Sequence, residues 1–512
     1  MKRIALLTAS LLLLHTAVQG QVQKSLRVTY KSIVNGREMP GGMQTVIESD
    51  GAVVRITTVG RQHERPQIPS PQQLSYIDFA GKRYLQLADM PDGSRISTVT
   101  LFSELPSPEV SGDTEVIAGY KCVRSRVIYF SNTIDIWYTD QAGVSGTPAP
   151  AMGVPDGLVL RIVRNGNNVT EAGSVEVIRG KESRIILPEN EGRSVDRMTF
   201  EHLLRESFVT TVTLFDNSVI NWEGEVTNPS FGMRDTLYRF AGGTVILKKV
   251  ALPEVHDSYS LFAEVTEYSA GDAYDRTGTV FVIPQGDPLT FLDGLTKGHK
   301  FLPVHTDRYG KEYSGIAATE DYRPPVELVR FFTPFGVRGF NERRMVPGLS
   351  WHDSAFYKQE ITHYLPLLRG EVWIGAFIGN YDRGGHRLSL RLKYYPETRD
   401  LVPAESGQQW ISSVFNTLPI MEMAGQQYGT MFDGDTLTVS VDIPEGLKSL
   451  KMVFITTGHG GWGGGDEFNP KLNELLVDGR RVWSFVPWRS DCGPYRNFNP
   501  ASGNFWNGLS SS

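Results

Sequence analysis

The sequence predicts an all-β protein built from β-sandwich domains, and three observations carry that prediction. Apolar and polar residues alternate with a period of two at 245–252 (VILKKVAL), 388–395 (LSLRLKYY) and 437–443 (LTVSVDI). The chain holds 52 glycines and 29 prolines at short intervals, the punctuation expected of short strands joined by turns. A helical period appears only in brief stretches, 198–208 (MTFEHLLRESF) and 360–368 (EITHYLPLL).

At 512 residues, 40% of them hydrophobic and 11% aromatic, the chain exceeds the size at which one core keeps growing, so several domains are expected. Charge, Pro and Gly cluster at 187–197 and 395–409, between strand-like segments. The expected division is a leader at 1–20, a β-rich N-terminal accessory domain at 21–197, and two further β-domains at 198–397 and 398–512. No internal repeat or low-complexity tract is seen.

In the leader, Lys2 and Arg3 precede an apolar run from Ile4 to Leu14, and small residues surround Gly20, which is the pattern of a secretory signal. The run is shorter than the roughly 20 residues that cross a bilayer, and no cysteine stands near Gly20 to carry a lipid. The protein is therefore expected to be secreted or periplasmic, with no membrane insertion. Its 57 acidic and 51 basic residues leave a formal charge of -6 and form no block of one sign, which argues against nucleic acid as a partner. Only Cys122 and Cys492 are present, so neither a disulfide framework nor a multi-cysteine metal site is available. A monomer is expected.

Within the N-terminal domain, residues 134–163 place a Trp-Tyr-Thr strand before a Gly/Pro turn and a returning apolar strand. This arrangement resembles the secreted β-rich family named for its Gly-Leu-Pro-Gly-Leu-Ile signature, with GVPDGLVL (153–160) where that signature would stand. It implies a scaffold and supplies no chemistry.

Further along, 271–284 (GDAYDRTGTVFVIP) sets Asp272, Tyr274, Asp275 and Arg276 ahead of a buried-looking strand that runs into Val280, Phe281, Val282 and Ile283. An Asp-Arg pair at a strand mouth can serve a cleft, and it can equally be a surface ion pair. A second segment, 454–468 (FITTGHGGWGGGDEF), holds six glycines, which let backbone approach a ligand closely. No Gly-Lys-Ser/Thr follows, so a phosphate loop does not fit. A hydroxylated ligand fits better: His459 and Trp462 could stack on and bond a sugar face, and Glu467 could handle a proton or hold a water. The ten histidines lack ligand spacing, so no metal site is expected.

Together these segments resemble the peptide-N-glycosidase F family. Residues 271–282 are similar to its Cys-Asp-Glu-Trp-Asp-Arg stretch and following strand; 330–337 (RFFTPFGV), 360–370 (EITHYLPLLRG), 458–468 and 491–508 continue the likeness in order. The resemblance implies two jelly-roll sandwiches side by side, no metal and no cofactor, and N-glycosylated proteins and glycopeptides as substrates. It places the family's catalytic acids on Asp275 and Glu467, with Arg276, Tyr274, Asp272, His459 and Trp462 as substrate-binding candidates.

The sequence also departs from the family. Tyr274 replaces a tryptophan, the cysteines flanking the first motif are absent, and Asp382 is the nearest substitute for a third family acid. An insertion at 284–325 carries a second Asp-Arg-Tyr at Asp307, though no comparable apolar strand follows it. The chain ends at GLSSS, where the family runs on, so the second sandwich is expected to be truncated. Amide hydrolysis at glycosylated Asn is the reading carried forward; an endo-acting glycoside hydrolase and a non-catalytic carbohydrate-binding sandwich are its rivals.

Overall fold

A computed structural model of the chain describes residues 25–39, 44–59, 71–255, 259–272, 274–336, 340–343, 345, 347–348, 350–352, 354–396, 409–423, 431–432, 435–458, 469–488 and 497. The chain divides into two units, Met1–Phe208 and Val209–Ser512. Among the described residues no helix is long and apolar enough to cross a membrane.

Among the described residues of the first unit, thirteen strands form a single sheet. Its central strand, Ser25–Val34, pairs antiparallel with Gln44–Ser49 and with Asn168–Ile178. Alternation sorts the two faces: Leu26, Val28 and Tyr30 join a core with Ile47, Val54 and Leu160, whereas Arg27 and Arg55 both donate to Glu48. The strand Asn132–Thr139 pairs with its return strand Leu158–Arg164, as 134–163 predicts.

The polar stretch at 187–197 is part of this unit. Arg193–Ser194 adds a parallel strand beside Arg95–Leu101. Helix α1 (Arg197–Ser207) follows, with Asp196 as N-cap accepting from the Thr199 amide. Phe200 of α1 is buried in a cluster with Ala88 and Ile96, and this apolar contact keeps α1 with the first unit, which ends at Phe208 where the sequence reading places a boundary at 197.

Among the described residues, the second unit begins with a nine-stranded β-sandwich. Its strands are β1 (Thr210–Ile220), β2 (Leu237–Phe240), β3 (Val245–Leu252), β4 (Ser260–Ser269), β5 (Thr277–Ile283), β6 (Val326–Phe332), β7 (Ser354–Glu360), β8 (Gly370–Ile378) and β9 (His386–Tyr395). They form an antiparallel four-stranded sheet, β1-β9-β4-β7, and an antiparallel five-stranded sheet, β2-β3-β8-β5-β6. The inner faces supply one core: Leu261, Ala263 and Val265 from β4 and Leu388, Leu390 and Leu392 from β9 meet Val280 and Val282 from β5 and Ile374 and Ala376 from β8.

Every residue of β5 is buried. A strand covered on one side only would alternate, so β5 requires a second cover. The 284–325 insertion supplies it: Phe291, Leu302, Tyr313 and Tyr322 pack on Phe281, Ile283, Trp373 and Phe377, the outward residues of the five-stranded sheet. Phe281 meets Phe291 edge to face, with 5.9 Å between ring centroids.

The short helical piece expected at 360–368 is a 3-10 turn at Thr362–Leu367 with Pro366 inside it, proline removing a donor that an α-helix needs. One sequence expectation fails here. The strand expected at 437–443 does not form: 435–458 carries no strand, and Leu450, Met452 and Val453 are exposed, so the alternation there has no ladder partner among the described residues. The strands beyond it are the hairpin Asn473–Val477 and Arg480–Phe485. Cys122 is a buried free thiol, and Cys492 lies outside the described residues.

Candidate active site

Strand register gathers several crossings at one end of the sandwich. His386 at the start of β9 faces Ile220 at the end of β1 and Ser269 at the end of β4. Ile378 at the end of β8 faces Gly278 near the start of β5, and Phe377 faces Val245 at the start of β3. The crossing 270–276 therefore passes from one sheet to the other beside the crossing 379–385.

Glycine makes this close approach possible. Gly271 has φ +150°, and a Cβ there would lie 3.0 Å from the Gly384 Cα; a Cβ on Gly384 would lie 2.8 Å from the Gly271 Cα. The Ala270 amide donates to the Gly385 carbonyl at 2.8 Å. Asp382 accepts from the amides of Gly384 and Gly385 at 2.7 and 3.3 Å, so its carboxylate shapes the turn that abuts the 271–276 segment.

Asp272 is the anchor of the crossing. It is 2% exposed. Its Oδ2 accepts from Arg276 Nε at 2.8 Å and its Oδ1 from Arg276 Nη2 at 3.2 Å, a bidentate pair. The Tyr274 amide donates to Oδ1 at 3.0 Å, and the Ser269 hydroxyl donates to the Asp272 carbonyl at 2.5 Å. His386 Nε2 lies 3.4 Å from Oδ2, while His386 Nδ1 lies 2.7 Å from Glu267 Oε1. The substrate-binding role expected of Asp272 has to contend with this burial: its oxygens already serve the protein.

Charge is balanced inside this network. Burial alone raises the Asp272 carboxyl, but hydrogen bonds from His386, Arg276 and the Tyr274 amide outweigh it and hold the group well below the usual carboxylate range. Burial pushes Glu267 up, against the pull of His386. For His386 burial acts downward, and the bonds to Asp272 and Glu267 overcome it and raise the imidazole. Two acidic side chains, Asp272 and Glu267, thus face two basic ones, His386 and Arg276.

Asp275 is half-buried on the turn that this network supports. On one side the Tyr274 amide is tied to Asp272; on the other, the Arg276 amide donates to Thr333 Oγ1 at 2.7 Å and the Thr333 amide returns a bond to the Arg276 carbonyl at 2.9 Å. Both flanks of Asp275 are held. Arg276, expected to be a substrate-binding residue, directs its guanidinium to Asp272, with its Cζ 5.1 Å from the centre of the Tyr274 ring. Tyr274 itself is 62% exposed, which leaves its ring free to meet a ligand.

The structure brings Asp272, Tyr274, Asp275, Arg276 and Asp382 together. Asp307 is elsewhere, in the hairpin of the insertion, where it accepts from the amides of Tyr309 and Lys311. His459, Trp462 and Glu467 lie outside the described residues. Among the described residues no cluster of His, Cys, Asp or Glu is arranged to hold a metal, and the two nitrogens of His386 face different carboxylates.

Sequence reasoning missed Glu267, His386 and Thr333. A signal for two of them was present: Glu267 continues the inward series Leu261, Ala263, Val265, and His386 opens the inward series Leu388, Leu390, Leu392. A charged residue at an inward position needs a buried partner. Trp222 and Tyr381 were also missed; both are exposed, their rings lie 6.0 Å apart, and the Trp222 amide donates to the Asp382 carbonyl.

Comparison with known proteins bears on this geometry. Residues 211–394 match the family model "Peptide-N-glycosidase F, N terminal", 427–512 match "Peptide-N-glycosidase F, C terminal", and 28–202 match "N-glycanase peptide, N-terminal domain". The N-terminal unit thus matches an N-glycanase domain, where the sequence reading likened 134–163 to the Gly-Leu-Pro-Gly-Leu-Ile family. The crystal structure of PNGF-II is 37% identical over 96% of this chain and 89% of its own, with a TM-score of 0.77. A second crystal form of PNGF-II gives 36% identity over 96% and 88%, with a TM-score of 0.73. PNGase F, a glycosylasparaginase from Flavobacterium meningosepticum, is 15% identical over 38% of this chain and 43% of its own, and its TM-score of 0.21 carries no argument. No curated protein sequence matches the chain. Likeness to PNGF-II along nearly the whole chain, with three N-glycanase domain matches in order, makes this β-sandwich protein a member of the peptide-N-glycosidase F family.

Proposed function

We propose that the protein is a secreted peptide-N-glycosidase that hydrolyses the amide between Asn and the innermost N-acetylglucosamine of N-linked glycans. The observation that carries this reading is the 37% identity to PNGF-II over 96% of the chain. The rigidly held turn of Asp275 supports it, since an acid that must meet a reacting amide gains from a fixed position.

The reaction adds water across the amide carbon-nitrogen bond. Water attacks the acyl carbon, the tetrahedral intermediate collapses, and the nitrogen leaves with a proton as the glycosylamine, converting Asn to Asp. Asp275 serves as the principal acid/base group at the scissile amide. Glu467 orients the hydrolytic water, an assignment that comes from the sequence likeness alone. Tyr274 offers a ring face to the sugar. Arg276 acts indirectly, by holding Asp272 and thereby the turn.

Mass spectrometry of an N-glycopeptide incubated with the protein tests the reading. Release of the intact glycan with Asn converted to Asp is expected; one N-acetylglucosamine left on Asn marks an endoglycosidase, and binding without product marks a lectin-like protein. D275N should lower kcat at least about 1,000-fold, the scale of losing an essential acid/base group. D307N should retain nearly full activity; the reverse pattern would transfer the assignment to Asp307.

A further inference from the structure

We propose that His386 is a positioning residue for the reaction: clasped between Glu267 and Asp272 in the sandwich interior, it fixes the Asp275 turn without touching substrate. The proposal rests on the amide-hydrolysing reading, which gives Asp275 its task. His386 and Glu267 are both 0% exposed, so neither can reach a glycan. Yet the pair is costly to bury, and Glu267 Oε2 has no hydrogen-bond partner among the described residues. What the arrangement accomplishes is orientation: the 2.7 Å contact of Glu267 with Nδ1 turns Nε2 toward Asp272, the residue that ties down the Tyr274 amide.

Two charged groups face His386: Glu267 from β4, and Asp272 from the 270–276 crossing with Arg276 behind it; in the turn before β9, Asp382 keeps its carboxylate on the amides of Gly384 and Gly385. A cationic imidazole donates from both nitrogens and holds both carboxylates at once. The neutral ring has one N–H and can hold only one of them. The direction in which the network moves the imidazole, upward, favours the doubly donating form. Deprotonation therefore loosens the turn from beneath.

The test reads amide hydrogen exchange and kinetics in the full-length protein. In H386Q, exchange of the Tyr274 and Arg276 amides should accelerate about tenfold or more, while the first unit keeps its wild-type protection. The same variant should lose about tenfold to a hundredfold in kcat with KM changed less than about threefold, the signature of a displaced catalytic group. The double variant E267Q/H386Q, which restores charge balance, should recover part of both losses. Unchanged exchange at Tyr274 and Arg276 in folded H386Q, or a loss confined to KM, overturns the proposal. If H386Q does not fold, E267Q replaces it: the alkaline limb of Tyr274 exchange should move to lower pH, and an unmoved limb overturns the proposal. Failure of the wild type to release glycan strikes the amidase reading instead, and leaves the exchange result to judge the clamp.

Discussion

Replacing Asp272 with Asn removes one charge from the buried network while preserving its shape. In the native protein its side chain is 1% exposed and that of Arg276 is 20% exposed, so their ion pair is largely shielded from water. Breaking such a pair by removing one partner costs about 3–5 kcal/mol, because the other charge stays buried. The Asn carbonyl can still accept one hydrogen bond, which offsets about 1 kcal/mol. A net loss of about 2–4 kcal/mol follows. With a urea m-value of about 3 kcal/mol/M for a unit of this size, the midpoint falls by about 1 M. Because two units unfold, a single spectroscopic transition is ambiguous. Urea titration read by hydrogen-exchange mass spectrometry follows peptides from 209–396 separately from those of 25–208. Only the second unit should shift. A change below about 0.2 M there would refute the view that Asp272 anchors the crossing.

Three further outcomes are expected. Asp272, held low, contributes stability that is present above its unfolded value near 3.8 and is lost as pH falls through the folded one. Glu267 and His386, held high, bind protons more tightly when folded, so their contributions decline as pH rises above about 4.5 and 6.5 respectively. From these groups the second unit should be most stable near pH 4, with stability declining from about pH 4.5 and further above about pH 6.5, and a urea midpoint that keeps rising above pH 7 would contradict the network. Y274A should raise KM about tenfold and leave kcat within about threefold, as loss of an exposed stacking face, measured on a defined glycopeptide series. F281A should destabilise the second unit by about 3–5 kcal/mol, seen by the same urea titration, since its ring is wholly buried between the five-stranded sheet and the insertion.

Much of the fold is legible in local pattern. The alternation in LSLRLKYY corresponds to most of β9, because a strand with one buried face imposes a period of two on its own sequence, whereas VILKKVAL forms β3 with Ile246 and Val250 in the sandwich core and Val245 and Leu247 under the 284–325 segment. The same logic misleads at 437–443, where alternation is present and no ladder forms, since a strand also needs a neighbour that its own residues do not encode. The apolar run 280–283 in β5 announces burial on both faces, but only the packed 284–325 segment reveals what covers the outer one.

The candidate site divides along the same line. By itself the sequence determined the Asp-Ala-Tyr-Asp-Arg segment at 272–276, its place before a buried strand and its family likeness, because these are properties of contiguous residues. The tertiary structure decided which charge meets which. Adjacency suggested Arg276 for Asp275, whereas the turn folds the guanidinium back onto Asp272, four residues earlier in one case and one in the other. His386 reaches Asp272 across 114 residues and Glu267 across 119, a meeting set by β4-β9 register and invisible to any local window. Coulomb interactions depend on distance in space and on burial, and chain separation constrains neither; that is why the strands could be read from the sequence while the support beneath Asp275 had to be seen folded.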